Sequence, residues 1–181
     1  MKKIIAICVC FMLCLSFTAC GNDSDIDVPM GFQLASDPDV PDYVVLVPSN
    51  WTVEESTGTT TAYYKDELSG KVIATFTASF NVAESSEITL ENYFESYSAE
   101  FEQVFEKSET EVESSTTILG GKEAKQYIYT AKFGGVEYKF WQVICLHENR
   151  FYTLTYSSTS EYFEKYAEDM EAIIEYFTFS E

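Results

Sequence analysis

From Lys71 to Val82 the chain alternates strictly: Val72, Ala74, Phe76, Ala78, Phe80 and Val82 point one way, and Ile73, Thr75, Thr77, Ser79 and Asn81 the other. A period of two held over that length predicts a strand with one face on a core. From Ile88 to Lys107 the period changes. Leu90, Tyr93, Phe94, Tyr97, Phe101, Val104 and Phe105 recur at three and four, which predicts an amphipathic helix with Thr89 as its N-cap. Four further strands are expected over Val112–Leu119, Glu123–Phe133, Val136–His147 and Arg150–Ser157. Gly120-Gly121, Gly134-Gly135 and Glu148-Asn149 separate them, and links that short require antiparallel pairing. Ser158-Thr159-Ser160-Glu161 then has the spacing of a capping box, opening a helix with a buried stripe of Tyr162, Tyr166, Met170, Ile173 and Phe177. Upstream, from residue 32, the pattern is strand, strand, turn, with Val44–Val47 closed by Pro48-Ser49-Asn50. The order of elements predicts an α+β domain: an antiparallel sheet with packed helices.

Composition adds a strong sign. The 181 residues include 11 Lys+Arg against 30 Asp+Glu, a formal net charge of −19, and 13 Tyr and 14 Phe. So aromatic a chain buries a core and is not disordered. So acidic a chain lacks the basic patches that hold phosphate backbones, which excludes nucleic acid as a partner. Much of the acid falls on the outer faces of the two helices: Glu91, Glu95, Glu102 and Glu106 on the first, and Glu161, Glu164, Glu168, Glu171 and Glu175 on the second. Like charges at this spacing each cost a helix about 0.2–0.5 kcal/mol. These rails are the candidate interaction surface, for a basic envelope or secreted protein. The simpler account is a solvated face that keeps an acidic domain soluble.

The first residues read as an address. Lys2 and Lys3 precede the apolar run Ile4–Leu15, too short for a permanent membrane span. Phe17-Thr18-Ala19-Cys20 resembles the bacterial lipobox, with small Ala19 before the Cys and Phe17 where Leu is usual. That resemblance implies cleavage after Ala19 and a lipid on Cys20, so that the chain is held at the extracytoplasmic surface of the cell membrane. Ordinary signal-peptidase cleavage prefers a small residue where Phe17 stands. The expected organisation is a signal peptide over 1–19, a lipidated Cys and acidic tether over 20–31, and one domain, read as monomeric, over 32–181. Loss of Lys2 and Lys3 takes the charge from −19 to −21. Of the five cysteines only Cys20 and Cys145 remain, and no intrachain disulfide is expected.

Candidate chemistry is sparse. Asp23-Ser24-Asp25-Ile26-Asp27 opens like a calcium loop, but Val28 and Leu34 occupy the positions that need Gly and Glu. His147, the single histidine, and Cys145 share a strand face, which permits a Cys/His pair; core packing is the simpler account. Trp51 and Trp141, with Tyr63, Tyr64, Tyr127, Tyr129 and Tyr138, are either a ligand-stacking patch or core. Glu123 and Glu137 are the carboxylates an acid/base hydrolase would use. A module responsive to divalent cations is a third reading, although rails of carboxylates do not converge on one ion. No cofactor and no metal is called for.

Val47-Pro48-Ser49-Asn50-Trp51 resembles the "vPxxW" signature of PsbP/Mog1-like domains. The stretch from Phe151-Tyr152 through Leu154-Thr155-Tyr156, Phe163, Tyr166 and Ile173-Ile174 to Phe177-Thr178-Phe179 is similar to that family's closing strand and helix. The resemblance spans residues 32–181. It implies an αβα sandwich around an antiparallel sheet and a non-catalytic binding or accessory role, as in the family's uncharacterised bacterial lipoproteins. It transfers no functional residue.

Overall fold

A computed structural model describes residues 26–36, 42–54, 58–101 and 112–180, with the side chains of 98–101 left aside. Ala19, Cys20, Glu102 and Glu106 lie outside the described residues.

The alternating segments form one antiparallel sheet. Its strands are β4 (Thr52–Glu54), β5 (Thr59–Lys65), β6 (Val72–Val82), β7 (Glu113–Leu119), β8 (Lys122–Phe133), β9 (Val136–His147) and β10 (Arg150–Thr159), in the spatial order β4-β5-β6-β10-β9-β8-β7. Three short strands precede it: β1 (Phe32–Leu34), β2 (Tyr43–Val44) and β3 (Leu46–Pro48). β1 pairs with β3, and β2 pairs with a C-terminal β11 (Thr178–Phe179). Val44–Val47 is therefore two strands broken at Val45 and paired to different partners.

Strand pleating sends alternate residues to opposite faces. One face carries Ala74, Phe76 and Ala78 of β6, Val143 and Cys145 of β9, and Tyr152, Leu154 and Tyr156 of β10. Over it lies helix α2 (Ala167–Tyr176), with Met170 and Ile173 fully buried. Each such side chain contributes about 1.5–3 kcal/mol, so this face is the main core. The opposite face holds a smaller cluster of Tyr93, Tyr127, Ile144 and Phe151, capped by helix α1 (Tyr93–Phe101). A helix thus packs on each side of the sheet, but both helices are short, and the molecule is chiefly antiparallel β-sheet.

Two local expectations are corrected. α1 begins at Tyr93, not at Ile88. Thr89 does mark the turn into it: its carbonyl accepts the Tyr93 N–H at 2.9 Å, and its own N–H donates to Asn92 Oδ1 at 2.7 Å. The second helix does not start from a capping box. β10 runs on to Thr159, because Ser158 pairs with both Lys139 and Ala74 and its hydroxyl donates to the Ile73 carbonyl. Ser160 Oγ instead donates to Glu137 Oε1 at 3.0 Å. A 3₁₀ turn, Phe163–Tyr166, then leads into α2. Its buried stripe starts at Phe163 in place of Tyr162.

The Val47–Trp51 motif is a structural corner. Trp51 N–H donates to the Pro48 carbonyl at 3.0 Å. The Gln33 side chain from β1 donates to the Trp51 carbonyl at 2.6 Å. The indole N–H reaches across to Asp169 Oδ2 on α2 at 2.8 Å. Trp51 therefore ties β1, β3 and α2 together.

Candidate interaction site

α1 and the β7–β8 hairpin enclose a cleft of about 600 Å³ on the side of the sheet away from α2. The packing that places α1 there is aromatic: Phe94 stacks on Tyr127 with ring centroids 4.0 Å apart and planes 8° off parallel. Tyr93 stacks on Phe151 at the same separation of 4.0 Å. Helical periodicity puts Tyr93 and Phe94 on the sheet side and leaves Glu95, with Glu91 in the turn before the helix, at the cleft mouth. The floor is polar. Ser114 and Thr116 of the edge strand β7 face it, while Ser115 between them turns its hydroxyl to Gln126 on the other face; Lys125 Nζ donates to Thr116 Oγ1 at 3.4 Å. Burial, reinforced by the Glu91 and Glu95 carboxylates, raises the Tyr127 phenol above its ordinary range, so it stays neutral. The cleft thus has one aromatic wall, a hydroxyl floor, an ammonium and two carboxylates. That set suits the reception of a cationic or hydrogen-bonding group and holds no nucleophile–base pair.

The acidic rails are split by the sheet. Glu91 and Glu95 share the cleft, whereas Glu164, Glu168, Glu171 and Glu175 lie exposed on the far side, along α2 and its leading turn. Glu164 is already held by Lys139 at 2.8 Å. The two groups do not form one surface.

The other sequence candidates also separate. Glu123 pairs with Ile118 at the start of β8, and Glu137 pairs with Lys132 near its far end, on the opposite face. The nine residues of β8 from Glu123 to Lys132 amount to about 30 Å of strand, so the two carboxylates cannot flank one bond. Cys145 is fully buried, and burial pushes its thiol up to about 11 against the pull of Lys122; it is a core residue, not a thiolate. His147 packs on Phe179, ring centroids 4.3 Å apart, with Glu148 Oε1 4.0 Å from Nε2. Trp51 and Trp141 are 3% and 9% exposed, so neither is a stacking platform for a ligand. Tyr64 stays with them on the α2 face, while Tyr63, Tyr127, Tyr129 and Tyr138 fall on the other. Among the described residues no three His, Cys, Asp or Glu side chains come together as metal ligands, and no helix is long and apolar enough to cross a membrane.

Sequence reasoning missed the hydroxyl floor. Ser114 to Thr116 reads as an ordinary β-prone run. Only the edge position of β7, set by long-range pairing, opens it to a cleft.

No family model and no curated protein matches the chain. Solved structures do. LpqN of Mycobacterium tuberculosis, described as involved in cell envelope biogenesis, superposes with a TM-score of 0.57 at 17% identity over 83% of this chain and 92% of that one. The cyanobacterial PsbP of Synechocystis gives a TM-score of 0.56 at 10% identity over 89% and 99%. The Ran-binding protein Mog1p of Saccharomyces cerevisiae gives 0.56 at 8% identity over 83% and 96%. Together with the Val47–Trp51 corner and the closing strand and helix, these likenesses establish that the chain has the PsbP/Mog1-like fold.

Proposed function

We propose that this protein is a non-catalytic binding or accessory domain, held by a lipid on Cys20 at the extracytoplasmic face of a bacterial cell membrane. The α1/β7–β8 cleft is its recognition site for a basic protein partner. The observation that carries the reading is the composition of that cleft: recognition groups around an aromatic wall, with Glu91 and Glu95 at the mouth and no converging catalytic set. The fold supports it, since the proteins of like structure include one that binds Ran and one involved in cell envelope biogenesis. The lipobox-like Phe17-Thr18-Ala19-Cys20 supports the anchor.

Two measurements test the two halves separately. Cys20→Ala is expected to abolish lipid labelling and membrane retention, and a variant that is still labelled refutes the anchor. Capture of envelope proteins by the chain is expected to yield a partner released by salt and lost from Glu91→Lys/Glu95→Lys. A partner retained by that variant refutes the assignment of the cleft.

A further inference from the structure

The two edges of the sheet are finished differently. β4 is three residues long, and so short an edge offers little to another chain. β7 spans seven residues, about 20 Å of strand. Its register with β8 runs unbroken from Glu113↔Ile128 to Leu119↔Lys122. Proline, lysine and bulges are the usual devices that close an edge to further pairing. β7 has no Pro and no Lys, and its one charged residue is Glu113 at its start.

The hairpin turn decides which backbone groups of β7 face outward. Gly120 and Gly121 have φ +54° and +76°, the pattern of a two-residue type I′ turn. Such a turn closes between the carbonyl before it and the N–H after it, so Leu119↔Lys122 is a hydrogen-bonded pair. Along an antiparallel ladder these pairs alternate with open ones. Thr117, Ser115 and Glu113 therefore direct their N–H and C=O to β8, while Ile118, Thr116 and Ser114 turn theirs away from it. Among the described residues no backbone group bonds to that outer edge, and Ser114, Thr116 and Ile118 are all exposed. The same three residues stand on the cleft side, paired with Tyr127, Lys125 and Glu123. A strand laid along β7 would send alternate side chains past the cleft mouth. Glu91, Glu95 and Glu123 meet them there, against the single ammonium of Lys125, which already donates to Thr116.

We infer that β7 takes up an extended segment of the partner as an added antiparallel strand, with lysine or arginine at every second position on the cleft side. The inference rests on the reading of the cleft as the site for a basic protein, and it supplies the mode of recognition. Main-chain bonds along the edge give affinity, and alternate side chains give specificity. A second copy of this chain lacks the complement. Two β7 strands paired antiparallel about Thr116 keep their cleft faces on one side of the joined sheet. That brings like carboxylates together, in molecules that each carry −19.

The test is titration of the full chain, in detergent, with a capped heptapeptide of alternating Lys and Thr. Laid antiparallel on β7, its lysines fall opposite Ser114, Thr116 and Ile118. They then turn their side chains to the cleft and their N–H groups to β7. N-methylation of the lysine nitrogens is expected to weaken binding about tenfold or more. N-methylation of the threonine nitrogens, which point to solvent, is expected to retain it. The two methylated peptides carry the same charge, so attraction alone does not separate them. On binding of the parent peptide, amide hydrogen exchange is expected to slow at Ser114, Thr116 and Ile118, and not at Ser115 and Thr117, whose N–H groups already bond to β8. Equal binding by the two methylated peptides overturns the inference and leaves a charge-driven cleft standing. Failure of the parent peptide to bind overturns it. So does protection of the same three amides that rises with protein concentration without peptide, which would make a second copy the occupant. The cleft reading fails by a different measurement, retention of the captured envelope partner by Glu91→Lys/Glu95→Lys.

Discussion

At the residue scale, the two tryptophans make opposite demands. Trp51 Nε1 donates to a partly buried carboxylate, Asp169, whereas the buried Trp141 Nε1 has no hydrogen-bond partner. Removing one member of a buried pair strands the other, while removing an orphan donor relieves a cost. Trp51→Phe is therefore expected to lower unfolding stability by about 1–3 kcal/mol, and Trp141→Phe to cost less, as chemical denaturation will show. Asp169 supplies a pH-dependent prediction. Burial raises its carboxyl above the ordinary value, and the Trp51 bond lowers it less. A carboxyl raised in the folded state binds its proton more readily there than in the unfolded chain. Its contribution is complete below the unfolded pKa and is lost as pH rises through the folded one. Asp169→Asn still accepts the indole N–H through its amide oxygen. It should gain stability relative to the parent as pH rises through that window, measured by paired melts across the acid range.

At the element scale, the β7–β8 turn shows why two glycines stand there. Gly120 has φ +54°, and a Cβ built on it meets the Phe179 ring at 2.7 Å. The turn is thus the seat for the C-terminal strand, and Gly120→Ala is expected to destabilise by about 1–3 kcal/mol through both backbone strain and the displaced ring. Gly121 has φ +76° but nothing within 4 Å, so Gly121→Ala meets only the backbone cost. Comparing the two variants by thermal melts separates the terms. This scale also shows what could be read in advance. β6 to β10 were legible because strict alternation and Gly-Gly turns each determine the same answer. β1, β2, β4 and β11 are two or three residues long and have no room for a period. β5 was missed because Thr59 to Tyr64 contributes only Thr60, Ala62 and Tyr64 to the core, and two of these are small or polar. The Ser158–Glu161 signal was read as a helix start because nothing local reveals that Ser158 is claimed by strands on both sides.

For the whole molecule, charge and topology govern. A net −19 over one compact sheet is self-repelling, so the melting temperature is expected to rise as salt screens it, from about 30 Å of Debye length at 0.01 M to about 8 Å at 0.15 M. A melting temperature that falls with salt would mean that local pairs such as Arg150–Asp42 outweigh the global field. Of the candidate sites, the rails were legible as residues but not as places. Sequence put the glutamates of both rails in one surface, and the sheet set Glu91 and Glu95 on one side and the α2 group on the other.

The union of β11 with β2 carries a consequence for the order of events. Thr178 and Phe179 pair with Val44 and Tyr43, and Phe179 also rests on Gly120. A segment from the far end of the domain therefore latches both the first strands and the central hairpin. Contacts between segments so distant in sequence close late and slowly. A chain cut before Thr178 therefore loses both holds at once, and it is expected to unfold at a lower denaturant concentration than the full chain.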